Sequence, residues 1–229
     1  MKKYKKLVKK ILSKGIEQKG RNGLQLIIPS YSFSLNFSKK TSHILKLRKM
    51  YYRGVEGEFK TLIDPTPLTN ISQFEKNGCN YWKLWGTPAG DINIDYHNMM
   101  HPQLENLIKE IKINPHSRRL HLELWNHKNL NLVSLPCCWH GITFSVLNNT
   151  LHMKWTQRSV DTLIGLPSDI YLAKLFMAYV AAEGDFKQGT CMFSLSNVHI
   201  YKEHIEGAKE LLKRTPKDFN KPLQFKLKS

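Results

Sequence analysis

The 229-residue chain has few cysteines, no long apolar run and no paired metal-ligand motif. Its cysteines, Cys79, Cys137, Cys138 and Cys191, form no CxxC pair, so their spacing indicates neither a zinc site nor a disulfide framework. No apolar stretch approaches the roughly 20 residues that a membrane span needs. The basic N-terminus lacks the apolar segment of a secretory signal. These absences predict a reducing, cytoplasmic setting, no bound metal and no membrane partner.

Acidic residues are scarce relative to basic ones. The chain has 18 Asp and Glu against 35 Lys and Arg, a formal net charge of +17, and such a field favours anionic partners. Within 1–14, lysines surround apolar residues at helical spacing, which predicts a basic amphipathic helix. This helix is either an arm that touches nucleic acid or a protein, or a first helix with a packed apolar stripe and solvated lysines. The second interpretation is favoured, and a nucleic-acid partner is not expected.

The chain shows neither an internal repeat nor a low-complexity linker, so residues 1–229 are predicted to form one domain. Alternating apolar and polar residues predict strands at 31–37, 120–125, 142–147, 151–157 and 191–201. Longer periodic segments predict helices at 43–53, 103–113, 170–182 and 203–214. Ser168 or Asp169 is expected to cap the third of these helices. Strands mixed with helices in this order predict an α+β fold.

Taken singly, the residues that carry chemistry are ambiguous. The adjacent Arg118 and Arg119 suit phosphate binding, but a solvated surface pair is the better interpretation of that pattern alone. Cys138 is either a small buried hydrophobe or a thiolate nucleophile stabilised by nearby arginines. His199 lies in the middle of a predicted strand, where a satisfied core histidine is the default interpretation.

The joint order of several short motifs is more specific than any one of them. These motifs are Asn114-Pro115-His116-Ser117-Arg118-Arg119, Trp125-Asn126, Leu135-Pro136-Cys137-Cys138, Gln157-Arg158-Ser159-Val160-Asp161, Gly165-Leu166-Pro167 and His199-Ile200-Tyr201. In this order they resemble the thymidylate synthase and deoxycytidylate (dCMP) hydroxymethylase family over about residues 114–214. The resemblance implies a mixed β-sheet packed with helices, and a sheet face that forms the interface of a homodimer.

The resemblance also implies roles for individual residues. Cys138 matches the catalytic cysteine, which adds to C6 of the pyrimidine and makes C5 nucleophilic. The run Gln157-Arg158-Ser159 matches substrate-binding residues, of which the arginine and the serine are phosphate ligands. Arg118 and Arg119 match a pair that reaches across the homodimer to the phosphate bound by the partner subunit.

Further positions match residues that surround the nucleotide and the pterin. His199 and Tyr201 match the residues that hold the sugar hydroxyl, and Asp161 matches an aspartate near the pterin. In the N-terminal part, Arg21 matches a mobile phosphate-binding arginine, and Tyr96 matches a tyrosine on the far side of the base. The resemblance therefore implies dCMP or dUMP as substrate and 5,10-methylenetetrahydrofolate as the one-carbon donor.

Asp169 is the most informative departure from the family pattern, because thymidylate synthases carry asparagine at this position. Uracil offers an acceptor at O4 and a donor at N3, whereas cytosine reverses both. A carboxyl that accepts from N4 and shares a proton with N3 fits cytosine, and mismatched buried polar groups can discriminate by about 10⁴-fold. Deoxycytidylate hydroxymethylases look like this at the same position. The alternative, in which Asp169 serves only as a helix cap, stays open.

The sequence thus predicts a dCMP hydroxymethylase, with Cys138 and Asp169 as its catalytic residues. The alternatives are thymidylate synthase or dUMP hydroxymethylase, and a folate-independent hydrolase or nucleotide-binding homologue. The resemblance puts Leu47 at the general acid/base position, and Glu56 or Glu58 would need a shifted register to replace it. Because Leu47 cannot transfer a proton and the sequence given ends at Ser229 without the family's C-terminal segment, the nucleotide pocket is predicted to be better kept than the folate pocket.

Overall fold

The computed structural model describes residues 2–38, 46–218 and 221–223, without the side chains of 95–99. Its helices are α1 (Lys2–Lys14), α2 (Tyr52–Ile63), α3 (Ser72–Lys76), α4 (Asp95–Ile113), α5 (Gly165–Glu183) and α6 (Ile205–Lys213). Its strands are β1 (Ile16–Gly20), β2 (Gly23–Asn36), β3 (His121–Glu123), β4 (Trp139–Leu147), β5 (Thr150–Gln157), β6 (Val160–Asp161) and β7 (Lys187–Tyr201). None of the helices in these ranges has both the length and the apolar character needed to cross a bilayer.

The strands form one mixed sheet in the order β1-β2-β7-β5-β4-β3, and β6 pairs with β7. Strand β7 runs parallel to β5 and β6, whereas its pairing with β2 is antiparallel. The remaining ladders, β1–β2, β3–β4 and β4–β5, are antiparallel as well. This mixed sheet packed with helices confirms the predicted α+β fold.

The strands predicted at 142–147 and 151–157 are confirmed as β4 and β5, which form an antiparallel hairpin. Its two turn residues, Asn148 and Asn149, have φ angles of 48° and 55°. Two consecutive residues with positive φ match the right-handed twist of the flanking strands, and asparagine tolerates this region better than most residues. The local sequence therefore sets the register of the strand that ends at Gln157.

Helix α5 is apolar on most sides because it lies between the sheet and the other helices, with contacts to β5, β6, β7, α2 and α4. The Phe176 ring on this helix lies 5.7 Å from the ring of Trp139 and 6.4 Å from that of Trp155. Burial of such aromatic and aliphatic side chains is the main favourable term in folding. This packing fixes the first turns of α5 against the ends of β5 and β6.

Helix α1 forms over the segment predicted from its periodicity. It buries Tyr4, Leu7, Val8 and Ile11, and contacts β2, β7 and α6. The Lys5 ammonium donates to backbone carbonyls at the end of α6, where a cation is favourable because the helix carries a partial negative charge. The helix is therefore a packed element of the fold, in agreement with the favoured interpretation.

The predicted helix over 43–53 was wrong. Residues 43–45 lie outside the described part of the chain, and the helix that follows, α2, begins at Tyr52. Gly54 follows the predicted helix directly, where a glycine often ends a helix, yet both Gly54 and Gly57 lie inside α2 and are buried. A Cβ at Gly57 would lie 2.4 Å from the carbonyl oxygen of Asn77. The glycine is therefore required by close approach of another segment rather than by chain termination.

The predicted cap of α5 was also wrong. The helix begins at Gly165, with Ile164 in the N-cap position and no side-chain cap bond, so Ser168 and Asp169 lie inside it. A carboxylate oxygen of Asp161 instead accepts hydrogen bonds from the backbone amides of residues 163–164, at 3.0 and 3.1 Å. Asp169 is therefore not a helix cap, which removes the structural alternative to a role in the site.

Candidate active site

The thiol of Cys138 lies at the start of β4 and is half-buried. Burial raises the pKa of this thiol, the Asp169 carboxylate raises it further, and the guanidinium groups of Arg158 and Arg21 lower it, with a smaller rise from Asp161. Groups that act electrostatically on one sulfur lie in one region of the molecule. Hydrogen bonds also link the two segments, because the backbone amide of Arg158 donates to the carbonyl of Cys138 at 2.9 Å and the side chain of the preceding Gln157 donates to Asp169 at 2.8 Å.

Arg158 is pinned to the segment that carries the cysteine. Its backbone amide donates to the carbonyl of Cys138 at 2.9 Å. Its guanidinium donates to the carbonyls of Cys137 at 2.9 Å and Pro136 at 3.0 Å. The same group stacks over the Trp125 ring, 5.0 Å from its centroid. These contacts hold a permanent positive charge beside the thiol while leaving donors that suit an anion.

The carboxyl of Asp169 points back from α5 toward the end of β5. Its Oδ2 accepts a hydrogen bond from the Gln157 side-chain amide at 2.8 Å. Burial raises the pKa of Asp169 to about 7, with smaller rises from Glu58 and Asp161 and an opposing effect of the Gln157 hydrogen bond. Near neutral pH this carboxyl therefore exists in both forms, one that only accepts hydrogen bonds and one that also donates.

Glu58 is a second buried carboxyl, and it has the proton-transfer chemistry that Leu47, which the resemblance puts at the acid/base position, lacks. Leu47 is an apolar core residue with 1% of its surface exposed. Glu58 is buried, accepts hydrogen bonds from the Tyr81 hydroxyl and the Trp82 indole, the latter at 3.0 Å, and acts on Asp169. Burial raises the pKa of Glu58, and the two hydrogen bonds lower it.

A signal for Glu58 was present in the sequence. On α2 it follows Val55 by three residues and precedes Leu62 by four, so it lies on the buried stripe of the helix. A carboxyl on an apolar helix face is costly unless it is hydrogen-bonded. Such a residue is therefore a functional candidate on physical grounds alone.

His199 and Tyr201 lie on β7, and His199 is paired with Asp161, the last residue of β6. The Nδ1 atom of His199 lies 2.8 Å from the carbonyl oxygen of Asn197. Because a carbonyl can only accept, Nδ1 carries the hydrogen in the neutral ring. The Tyr201 ring lies 5.0 Å from the imidazole in an edge-to-face arrangement. Burial raises the pKa of Tyr201, with smaller effects of Asn22, Asp161, Cys138 and Arg21, so its hydroxyl belongs to the same cluster.

The remaining predicted site residues are Arg118, Arg119, Tyr96 and Ser159. Arg118 and Arg119 are exposed in the segment before β3, and their side chains make no hydrogen bond or ion pair with the described residues. Tyr96 is a residue of α4 whose side chain lies outside the described part. Ser159 joins β5 to β6, and its carbonyl oxygen accepts from the Gln157 amide at 3.2 Å. Among the described side chains, no group of three His, Cys, Asp or Glu is arranged to hold a metal ion.

Replacing Asp169 by asparagine is expected to stabilise the fold increasingly as the pH rises. An unfolded aspartate has a pKa near 3.9, whereas that of the folded chain is about 7. Asp169 therefore holds its proton more tightly in the folded state than in the unfolded state. As the pH rises from about 4 to above 7, the folded state loses stability relative to the unfolded state. Between pH 4 and pH 8, the advantage of the variant in free energy of unfolding should grow by about 2–4 kcal/mol. Urea unfolding at pH 4, 6 and 8 measures this, and a pH-independent difference would show that Asp169 is not buried as described.

The chain was compared with known proteins. The family model described as Thymidylate synthase matches residues 2–228. A thymidylate synthase of Buchnera aphidicola subsp. Acyrthosiphon pisum (strain APS) is 31% identical over 232 residues, which cover 96% of this chain and 87% of that protein. A thymidylate synthase of Buchnera aphidicola subsp. Baizongia pistaciae (strain Bp) is 28% identical over 227 residues, which cover 94% and 85%. The similarity thus includes the N-terminal part, where the sequence motifs are weakest.

Proposed function

The chain belongs to the thymidylate synthase family, and on this premise we propose that it transfers a one-carbon unit to C5 of dUMP. It is an enzyme of a one-carbon-transferring family that modifies pyrimidine nucleotides at C5. Both relatives named above are thymidylate synthases, which favours this function over the dCMP hydroxymethylation predicted from Asp169. The observation that carries the proposal is the pair of hydrogen bonds from adjacent residues of one segment, in which the Arg158 amide donates to the Cys138 carbonyl at 2.9 Å and the Gln157 side chain donates to Asp169 at 2.8 Å.

Cys138 is the proposed nucleophile. Its thiolate forms a bond to C6 of the pyrimidine, and the electron pair of the C5–C6 double bond makes C5 nucleophilic. Arg158 and Arg21 favour the thiolate, since both lower the pKa of the thiol. Their proposed second task is to bind the nucleotide phosphate, together with Ser159. His199 and Tyr201 are the proposed contacts of the sugar hydroxyl, on the side of the cluster that carries Asp161.

The described residues fit the family's one-carbon donor, methylenetetrahydrofolate. The Trp82 and Trp85 rings lie 5.4 Å apart beside Glu58, and Trp85 is partly exposed. The partly exposed Trp85 ring offers a stacking surface for a flat pterin, and Asp161 is the proposed polar partner of the pterin. When bound, the donor supplies a carbon at the oxidation level of formaldehyde. The described chain contributes the pocket, the acid/base groups and the exclusion of water.

Glu58→Gln is expected to lower kcat by about 10²–10⁴-fold, which is the usual contribution of a positioned proton-transfer group. The amide keeps the volume and can still accept from the Trp82 indole, so nucleotide affinity should change little. Glu56→Gln is the matched control, because Glu56 lies on the exposed face of the same helix and accepts from the Tyr171 hydroxyl at 2.7 Å. Steady-state rates of the two variants test the assignment. Equal rates would remove Glu58 from the mechanism.

A second candidate function, hydroxymethylation of dCMP, is favoured by Asp169. An ionised carboxyl accepts from N4 of cytosine but repels O4 of uracil, whereas the base that a neutral carboxyl matches depends on which of its oxygens carries the proton. Because the pKa of Asp169 is about 7, cytosine is tolerated over a wider pH range than uracil. In this function water, rather than a hydride, completes the one-carbon transfer.

The family is typically dimeric, and a dimer would explain the two arginines that lie apart from the cluster. We propose that the outward face of the sheet packs against the same face of a second copy. Thr143, Ser145, His152, Lys154 and Met192 lie on this face and line a shared recess. Arg118 and Arg119 of one subunit would then reach the phosphate bound beside Cys138 of the other.

Product analysis separates these functions. Purified enzyme is incubated with methylenetetrahydrofolate and either dUMP or dCMP, and the nucleotides are identified by mass spectrometry. A gain of one methyl group on dUMP supports thymidylate synthesis, and hydroxymethylated dCMP supports the second candidate. Release of free uracil or cytosine without folate would instead show a hydrolase and overturn the proposal.

A further inference from the structure

The side-chain amide of Gln157 is held in one orientation by two groups of opposite character. Its oxygen accepts from the indole N–H of Trp155 at 3.2 Å, and its nitrogen donates to the carbonyl of Ser159 at 3.2 Å. An indole N–H can only donate and a carbonyl can only accept. The same NH₂ group must therefore face Asp169, where it donates to Oδ2 at 2.8 Å.

The surroundings make a flip of this amide costly. Trp155 is fully buried and Gln157 is 2% exposed. Solvent therefore cannot replace a hydrogen-bond partner that either side chain would lose. The Trp155 ring is held by Trp139, 4.6 Å away between centroids, and by Phe176. A flip would set the amide oxygen against the Ser159 carbonyl and leave the indole donor unpaired, and unsatisfied buried polar groups are strongly unfavourable.

This arrangement makes the two oxygens of Asp169 unequal. Oδ2 already accepts a hydrogen bond, so the proton of the neutral carboxyl belongs on Oδ1. The neutral side chain thus has a fixed polarity, with a donor at one oxygen and an acceptor at the other. If the Gln157 amide were reversed, the proton of Asp169 would move to Oδ2 and the polarity would be reversed. If the amide were removed, the proton could occupy either oxygen and the polarity would no longer be fixed.

The polarity matters because the two pyrimidines present opposite patterns at the same edge. Uracil has an acceptor at O4 beside a donor at N3, and cytosine has a donor at N4 beside an acceptor at N3. A carboxyl with its proton on a set oxygen pairs with one of these patterns in a given orientation and clashes with the other. Which oxygen carries the proton therefore decides which base is accepted.

We propose that Trp155 and Gln157 are positioning residues that select the pyrimidine by fixing the hydrogen-bonding polarity of Asp169. The inference rests on the proposed function in one respect, namely that Asp169 faces the base. It holds whichever of the two bases the enzyme prefers. Neither residue needs to touch the base edge itself for this effect.

The test measures the ratio of the dissociation constants of dUMP and dCMP by titration calorimetry, which requires neither folate nor turnover. Two variants weaken the proposed chain of hydrogen bonds from Trp155 through Gln157 to Asp169. Trp155→Phe keeps an aromatic ring but removes the indole donor, and Gln157→Met keeps the volume but removes the amide. Phe176→Leu is the control, because it perturbs the same aromatic cluster without removing a polar group. Thermal unfolding reports whether each variant folds.

We expect the preference between the two nucleotides to fall by about tenfold in Trp155→Phe and by about 10- to 100-fold in Gln157→Met. In each variant Asp169 is no longer held in the polarity that repels the disfavoured base, so the penalty of that buried polar mismatch is removed. The control should keep the preference of the unchanged enzyme even if it unfolds at a lower temperature. An unchanged preference in folded Gln157→Met would overturn the positioning role and leave the proposed function intact. Failure of the unchanged enzyme to bind either nucleotide would overturn the proposed function itself.

Discussion

Replacing Cys138 by alanine is expected to abolish turnover, with a loss of at least about 10⁴-fold, because a covalent mechanism has no substitute for its nucleophile. Nucleotide affinity should stay within about tenfold of the unchanged enzyme, since the proposed phosphate and sugar contacts are separate from the sulfur. Steady-state rates and a binding titration on the same preparation give both quantities. Loss of binding together with turnover would indicate a disrupted pocket instead.

The adjacent cysteine provides the matched control. Cys137 is buried, its sulfur lies 3.6 Å from the carbonyl oxygen of Leu124, and burial raises the pKa of its thiol to about 12. It is therefore a small packed side chain rather than a nucleophile. Cys137→Ala should retain turnover within about tenfold, at some cost in stability. If this variant loses turnover and Cys138→Ala keeps it, the nucleophile has been assigned to the wrong sulfur.

Asp169→Asn is expected to shift the ratio of kcat/KM values toward dUMP by on the order of 10³–10⁴-fold, as for other sites that read a buried hydrogen-bonding group. The amide of asparagine can give its NH₂ to O4 of uracil and accept from N3. The same NH₂ would face the N4 donor of cytosine, whereas the ionised carboxyl accepts from that donor.

The shift should be larger above neutral pH than below it. As the pH rises through about 7, the Asp169 carboxyl loses the proton that it needs to pair with O4 of uracil. Asparagine does not titrate, so its preference for dUMP stays constant over this range. Rates with both nucleotides at pH 6 and pH 8 give the comparison. An Asn variant that still turns over dCMP as well as the unchanged enzyme would show that Asp169 does not read the base.

Local patterns predicted those parts of the fold that depend on local chemistry. The β4–β5 hairpin follows from two asparagines that accept positive φ, and α1 follows from its apolar period. The helix predicted over 43–53 failed because glycine does not end a helix here: Gly54 and Gly57 lie inside α2, and Gly57 faces the backbone of Asn77. No local pattern separates these two uses of glycine, since the neighbour that makes it necessary is distant in sequence.

The same limit applied to the site. The ordered motifs pointed to Cys138 and Asp169 because each of these residues lies in or next to a short motif that can be read from the sequence. Glu58 was displaced in favour of Leu47, since its partners, Tyr81 and Trp82, lie more than 20 residues away along the chain. The orientation of the Gln157 amide depends on Trp155 and on a backbone carbonyl, and this requires coordinates.

The release of tritium from C5 of labelled dUMP or dCMP tests most directly whether the Cys138 thiol activates the ring that Asp169 reads. The reaction is run with and without methylenetetrahydrofolate, using the unchanged enzyme and its Cys138→Ala variant. We expect folate-dependent release from one of the two nucleotides, and none from the variant. Absence of release from both nucleotides, or equal release by the variant, would contradict it.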